Sequence, residues 1–180
     1  YEDQMDTFFD LTILMVLIII LVFIVMAAQF ESLTDPFVIM FSIPFAFTGI
    51  ILGLAITQTP LGVMALIGLI MLMGIVVKNG IVLIDYTILC RERGMGILTA
   101  VVTAGKSRLR PVLMTTLTTV LGMIPMAVGT GEGSEMWRSM GMTVAWGLSV
   151  STLITLVIVP VVYSVFAVSY THLRAHETVL

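Results

Sequence analysis

Lys78 is the residue whose type and position point most directly to chemistry. It lies inside an apolar stretch that runs from residue 61 to residue 89, with apolar turns on both sides. A lysine at the centre of a membrane helix costs about 2.5–3.5 kcal/mol on insertion scales, and such residues mark ion or proton pathways. We expect the Lys78 ammonium to face the interior of a helix bundle, where it meets a carboxylate or a proton path.

Asp85 is the acidic residue in the same stretch, seven positions after Lys78. Residues seven apart share a helix face, and a rise of about 1.5 Å per residue separates them by roughly 10 Å. That separation is too long for an ion pair, so the partner of Lys78 is expected on another helix. A purely structural ion pair is the alternative interpretation of this lysine.

A second polar group stands at the start of the apolar stretch from 111 to 128. Arg108 and Thr115 are seven residues apart and share a helix face, and Thr118 and Thr119 continue close to it. Hydroxyls in a membrane relay protons through water or hydrogen-bond to a neighbouring helix, and the second role is favoured for Thr118 and Thr119. Arg108 fits a proton path and an anchor to lipid headgroups equally well.

The composition places these residues in a lipid bilayer. Of the 180 residues, 59% are hydrophobic and 11% are charged, whereas soluble domains are about 45–50% apolar and about 25% charged. With 8 Lys and Arg against 11 Asp and Glu, the chain has no basic surface for nucleic acid. Cys90 is the one cysteine, which excludes an intrachain disulfide and a metal site built from several thiolates. The sequence predicts no cofactor and no bound metal.

Five apolar stretches are long enough to cross a bilayer, which takes about 20 residues. They do not alternate apolar with polar residues, so a β-barrel is disfavoured. The sequence therefore predicts an all-α, polytopic membrane helix bundle. Apart from the stretch 61–89, which contains Asp85, these stretches contain no acidic residue. Gly49 and Gly53 form a GxxxG pattern that permits close helix packing. The predicted spans are 11–28, 37–56, 61–89, 111–128 and 140–162.

The basic residues predict the orientation of the chain, because cytoplasmic loops carry an excess of Lys and Arg. The predicted loop from Cys90 to Arg110 carries five of them, whereas the loop before the last span carries Arg138 beside Glu132 and Glu135. The first loop is thus expected in the cytoplasm and the second outside. The acidic segment 1–10 then also lies outside, as expected for a chain that lacks earlier helices and an external domain. The five basic residues are Arg91, Arg93, Lys106, Arg108 and Arg110.

Four segments of the chain, in this order, resemble the resistance–nodulation–division (RND) transporters, and most closely their hydrophobe/amphiphile efflux branch. The resemblance extends from about Phe8 to Ala167. It implies that the five spans are the eighth to twelfth of a twelve-helix permease, and that residues 1–10 are the end of a periplasmic porter region. The segments are QFES at 29–32, GIVVKNGIVLIDY at 74–86, RLRPVLMTT at 108–116 and GTGEG at 129–133.

The resemblance also implies a function, which is export driven by proton influx in a bacterial inner membrane. The chain is then part of a secondary active transporter, a proton antiporter and not an enzyme, that exports small hydrophobic or amphiphilic compounds. Lys78, Arg108 and Thr115 match the family's proton relay, whose proton-binding aspartates lie on the fourth helix, outside this sequence. The family implies a homotrimer that joins a periplasmic adaptor and an outer-membrane channel.

Two alternatives stay open at this point. The 14 methionines permit a heavy-metal efflux relative, because thioethers bind soft metals, although methionine is also a common filler of apolar packing. A membrane scaffold or sensor that transports nothing is the other alternative, and it leaves the buried lysine without a purpose.

The C-terminal segment 168–180 is expected to be non-native. Its residues from Val168 to Thr178 resemble the conceptual translation of a sequencing-library adapter. Both histidines, His172 and His176, lie in this segment. The sequence therefore predicts no role for histidine in metal binding or proton transfer.

Overall fold

A computed structural model describes the backbone of residues 2–177 and the side chains of residues 3–169. Six α-helices and no β-strand are present in this part of the chain. The all-α helix bundle predicted from the sequence is therefore confirmed. The helices are α1 (Glu2–Phe30), α2 (Thr34–Met40), α3 (Ile43–Thr57), α4 (Val63–Glu92), α5 (Ile97–Val128) and α6 (Ser134–Glu177).

Five helical segments of the described residues are long and apolar enough to cross a membrane, as the sequence predicts, and these helices are longer than the apolar stretches. The largest difference lies between Cys90 and Arg110. The sequence predicts a loop there, and this prediction is wrong, because most of these residues are helical. The connection is only Arg93–Gly96, and α5 begins at Ile97. Apolarity marks the part of a helix that contacts lipid, whereas Lys and Arg are good helix formers and continue the helix into water.

The two ends of the chain are also helical. Residues 2–10, predicted as the end of a periplasmic region, form the first turns of α1. Helix α6 continues through the predicted non-native segment as far as Glu177. Tyr1 and residues 178–180 lie outside the described residues.

The second span is divided into α2 and α3 by a turn at Phe41–Ser42. Pro44, in the first turn of α3, explains the division, because proline lacks an N–H and its ring clashes with the carbonyl four residues earlier. The buried Ser42 hydroxyl donates to the Ile39 carbonyl at 2.6 Å and satisfies one of the backbone acceptors at the break. The predicted single helix over 37–56 is thus two helices that together cross the membrane.

Helix α6 is the centre of the bundle and packs against α3, α4 and α5. One apolar core joins the last turns of α1 to α2, α4, α5 and the second half of α6, around Ile39, Ile84 and Val159. The other core joins α3, the first half of α4 and α6, around Leu72 and Leu148. Helix α1 lies at the periphery, since only 6% of its most apolar stretch is buried against the rest of the chain.

Glycines bring α3, α4 and α6 into close contact. A Cβ added at Gly49 would lie 2.7 Å from Val150 Cβ, and one at Gly53 would collide with Trp146. From the opposite side, a Cβ added at Gly147 would lie 2.7 Å from Ile50 Cγ1. Small residues let helix backbones approach closely in a membrane, where van der Waals packing stabilises helix association. The GxxxG pattern thus acts within the chain, between α3 and α6.

We predict that Gly49→Leu destabilises the protein by about 2 kcal/mol, because overpacking a tight interface forces the backbones apart. Thermal unfolding of the complete transporter in detergent measures the loss. Ala55→Leu is the matched control, since Ala55 is exposed on the same helix. Equal melting temperatures for the two variants would contradict the assigned packing.

The exposed loop Arg93–Gly96 tests the orientation predicted from the basic residues. We expect Met95→Cys to react with a membrane-impermeant maleimide only after the membrane of spheroplasts is opened, and Glu132→Cys to react in intact spheroplasts. Both positions are exposed, and Cys90→Ala removes the buried native thiol. Labelling of Met95→Cys before the membrane is opened would reverse the predicted topology.

Candidate functional site

Lys78 lies at the middle of α4, and its side chain is exposed on the surface of the five-span bundle. The neighbouring residues Val77 and Asn79 are buried, so the helix packs on the side away from the lysine. Lys78 therefore lies on the outer surface of these five spans, and its place in the interior of a larger bundle stays a prediction. Its face of α4 is an exposed stripe that also contains Met71, Gly74, Asp85 and Leu89.

Arg108 contacts α4 through an aromatic ring. Its guanidinium carbon lies 4.6 Å from the centroid of the Tyr86 ring, a cation–π distance. The Arg108 Nε is buried and has no hydrogen-bond partner in the described part of the chain. The Arg108 side chain is therefore held between the two helices, because its guanidinium packs on the Tyr86 ring and its Nε is buried. This position favours the proton-path interpretation of Arg108 over an anchor to lipid headgroups.

Thr115 is exposed, and its hydroxyl donates to the Pro111 carbonyl of its own helix at 3.0 Å. It lies seven residues after Arg108 and therefore on the face of α5 that Arg108 presents to α4. The hydroxyl oxygen keeps lone pairs that accept a further hydrogen bond. Thr115 can thus take part in a hydrogen-bonded chain without leaving its own helix.

The contact between Tyr86 and Arg108 sets the register between the antiparallel helices α4 and α5. From this contact, eight residues back along α4 lead to Lys78 and seven residues forward along α5 lead to Thr115. At about 1.5 Å per residue, these positions lie roughly 12 Å and 10 Å from the contact, on the same side of it. Lys78 and Thr115 are therefore at similar depth on adjacent helices, with no direct hydrogen bond between them in the described structure.

The buried hydroxyl contact between helices is made by Thr116, which the sequence interpretation missed. The Thr116 and Thr152 hydroxyls share a hydrogen bond of 3.1 Å between α5 and α6. Thr118 and Thr119, predicted to bond across helices, instead donate to the Met114 and Thr115 carbonyls of their own helix. Thr116 contacts α6, whereas Arg108, on another face of α5, contacts α4. The sequence of α5 alone does not indicate which of its faces packs against which helix.

Two further polar features were missed. The Thr155 hydroxyl, one turn after Thr152, is buried without a hydrogen-bond partner in the described residues. Arg91, in the last turn of α4, donates from Nη1 to the Tyr163 hydroxyl at 3.0 Å and interacts electrostatically with Asp35. The second feature ties α2, α4 and α6 together near the Arg93–Gly96 connection. Arg91 and Tyr163 are 72 positions apart in the chain, so the spacing of residues in the sequence gave no signal for their contact.

The bundle resembles a transporter of known structure. Its fold matches a crystal structure of a heavy metal efflux pump with a TM-score of 0.84 and 30% sequence identity, over 93% of this chain and 16% of that one. The sequence profile of the AcrB/AcrD/AcrF family, which are RND permeases, matches residues 2–167. The chain belongs to this RND permease family. The family predicted from the four sequence segments is thus confirmed.

Relatives of this RND permease segment are named for different biological roles. It is 42% identical over 166 residues to the swarming motility protein SwrC of Bacillus subtilis, which covers 92% of this chain and 16% of the relative. It is 39% identical over 163 residues to the cobalt-zinc-cadmium resistance protein CzcA of Cupriavidus metallidurans, covering 91% and 15%. The multidrug resistance protein MdtC of Erwinia tasmaniensis is 39% identical over 143 residues, covering 79% and 14%.

The RND permease segment spans about one sixth of the length of these relatives. The family that these matches show is one of membrane transporters and not of enzymes. They include proteins named for multidrug resistance and for metal resistance, so they leave the branch of the family open.

We predict that Thr116→Val and Thr152→Val each destabilise the permease by about 1 kcal/mol, because each leaves a buried hydroxyl without its partner. The double substitution should cost less than the sum, since it removes both polar groups. Thermal unfolding of the complete protein in detergent measures this cycle. The control is Thr118→Val, whose hydroxyl is exposed and bonded within α5. Additive single and double losses would show that the two hydroxyls do not interact.

Proposed function

We propose that this segment supplies part of the proton pathway of a proton-driven efflux transporter. Lys78, Arg108 and Thr115 are the residues of this chain that form the relay. This proposal is carried by the ammonium of Lys78, which lies at the middle of α4 on a face that the five spans leave uncovered. No carboxylate among the described residues pairs with this charge, so we infer that another helix of the complete transporter covers the face and brings carboxylates to it.

The relay works through a change of charge beside Lys78. An ammonium in a low-dielectric region stabilises carboxylates that are ionised. When those carboxylates take up a proton, the attraction to Lys78 weakens, and α4 shifts relative to the covering helix. Release of the proton restores the pair and returns the helices, so that each cycle couples one direction of proton movement to one change of conformation.

Thr115 and Arg108 extend the pathway along α5. Thr115 lies at the depth of Lys78 and offers a hydroxyl that accepts or passes a proton through water. Arg108 lies about 10 Å further toward the Arg93–Gly96 connection. Its fixed positive charge disfavours a second proton nearby and orients water molecules that carry the proton onward.

The substrates that we propose are small hydrophobic or amphiphilic compounds, and the 39% identity to a multidrug resistance protein supports this class. The second candidate is heavy-metal efflux, favoured by the 39% identity to CzcA and by the similarity to a heavy metal efflux pump. Expression of the complete transporter in a strain that lacks its own pumps separates the two. Dye export without cobalt, zinc or cadmium tolerance supports the first, and the reverse result supports the second.

We further propose a bacterial inner-membrane protein that works as a homotrimer with a periplasmic adaptor and an outer-membrane channel. Five membrane-crossing helices in the described residues and membership of the RND permeases support this assignment. The basic residues near Arg93–Gly96 support a cytoplasmic location for that connection.

In the complete transporter, we expect Lys78→Ala to abolish proton-driven efflux while the protein stays folded and trimeric. Without the cation, the carboxylates that face position 78 favour the protonated form throughout the cycle. Lys78→Arg should also fail, because a guanidinium differs from an ammonium in size and geometry. Efflux of a fluorescent dye from energised cells, at matched expression, is the measurement.

Lys106→Ala is the matched control, since it removes an exposed lysine from α5 outside the relay. We expect it to keep wild-type efflux. Thr115→Ala should impair efflux less than Lys78→Ala, because water replaces a lost hydroxyl in a relay, and Arg108→Ala should fall between them or match Lys78→Ala. Near wild-type efflux by Lys78→Ala would show that this lysine is structural and that the relay assignment is wrong.

A further inference from the structure

Tyr86 holds the charged group of Arg108 by contact with its ring. The guanidinium carbon stands 4.6 Å from the ring centroid, and the ring is the specific partner that this guanidinium has in the described part of the chain. Cation–π attraction is stronger where water is excluded, and this contact is partly shielded, since the Nε of Arg108 is buried while Arg108 and Tyr86 as whole residues are half-buried.

The position of Tyr86 in α4 gives the contact a consequence for the relay. Tyr86 is rigidly connected to Lys78 by two turns of uninterrupted helix. Arg108 is connected to Thr115 by two turns of α5 that include Pro111. The contact between ring and guanidinium therefore determines how far α5 is displaced along α4, and hence whether Thr115 lies at the depth of Lys78.

We propose that Tyr86 is a positioning residue of the proton pathway, which aligns α5 on α4 and holds the Arg108 guanidinium between the helices. This inference rests on the proposed function. Tyr86 acts through Arg108, and it needs an aromatic face for this purpose rather than a phenolic hydroxyl. An apolar side chain of similar volume fills the space but does not attract the guanidinium, so it leaves the register of the two helices undetermined.

The test compares Tyr86→Leu and Tyr86→Phe in the complete transporter. We expect Tyr86→Leu to lower the maximal rate of dye efflux about tenfold, between the effects of losing an exposed and a desolvated cation–π contact, with the half-saturating dye concentration unchanged. Tyr86→Phe should keep the wild-type rate, because phenylalanine presents the same face. Tyr86→Leu should cause no further loss in an Arg108→Ala background.

Two controls separate this role from packing and from the relay itself. Phe41→Leu removes an aromatic ring that is 45% exposed and distant in the chain from the α4–α5 contact, and it should leave efflux unchanged. If Tyr86→Leu yields little folded protein, Tyr86→Met replaces it, since methionine is flexible and of similar volume.

Equal rates for Tyr86→Leu and Tyr86→Phe would overturn the positioning role, whether both are active or both inactive. If Lys78→Ala is inactive while Tyr86→Leu keeps the rate of Tyr86→Phe, only this inference fails and the relay stands. If Lys78→Ala exports dye at the wild-type rate, the relay and the role of Tyr86 fail together.

Discussion

An ammonium group at the middle of a hydrocarbon layer costs about 2.5–3.5 kcal/mol on insertion scales, and the rest of this structure is arranged around that cost. Helix α4 runs unbroken from Val63 to Glu92, so Lys78 is too far from either end for its side chain to reach water along the helix. The charge is tolerable only where protein or water covers it. Under the proposed function, the exposed stripe of α4 that contains Lys78 and Asp85 is covered by another part of the transporter and not by lipid.

Close packing on the other side of α4 keeps this stripe in place. Gly147 of α6 lets Ile50 and Leu72 approach its backbone, and Gly49 and Gly53 bring α3 against α6. With its apolar face held in this way, α4 cannot rotate to bury Lys78 among the five spans. Polar side-chain contacts also join the helices, at Thr116 and Thr152 between α5 and α6, at Arg91 and Tyr163 between α4 and α6, and at Tyr86 and Arg108 between α4 and α5. The contact of Tyr86 with Arg108 joins the two helices of the proposed relay.

Hydropathy was sufficient to predict the five spans, the all-α fold and the exceptional position of Lys78, because in a membrane every backbone group must be satisfied within its own helix. The four sequence segments were sufficient for the family. The sequence did not reveal the true start of α5 at Ile97, because charged helix formers hide a helix from a hydropathy scale. It also did not reveal that Tyr86 meets Arg108 or that Thr116 meets Thr152. Those pairs depend on helix rotation and register, which are set by packing between segments and not by the spacing within any one of them.

Helix α5 has several features that make a helix easy to bend. It contains Pro111 and Pro125, and each proline removes one backbone hydrogen bond of the helix. Only 17% of its most apolar stretch is buried against the rest of the chain. Threonine hydroxyls that bond back to their own helix, as at Thr115 and Thr119, favour bending. Helix α6 shares these features, since it contains Pro160 and its Thr143 and Ser149 hydroxyls donate to carbonyls of the same helix. A bending force on the bundle would thus deform α5 and α6 at their internal prolines more readily than α4, which contains none.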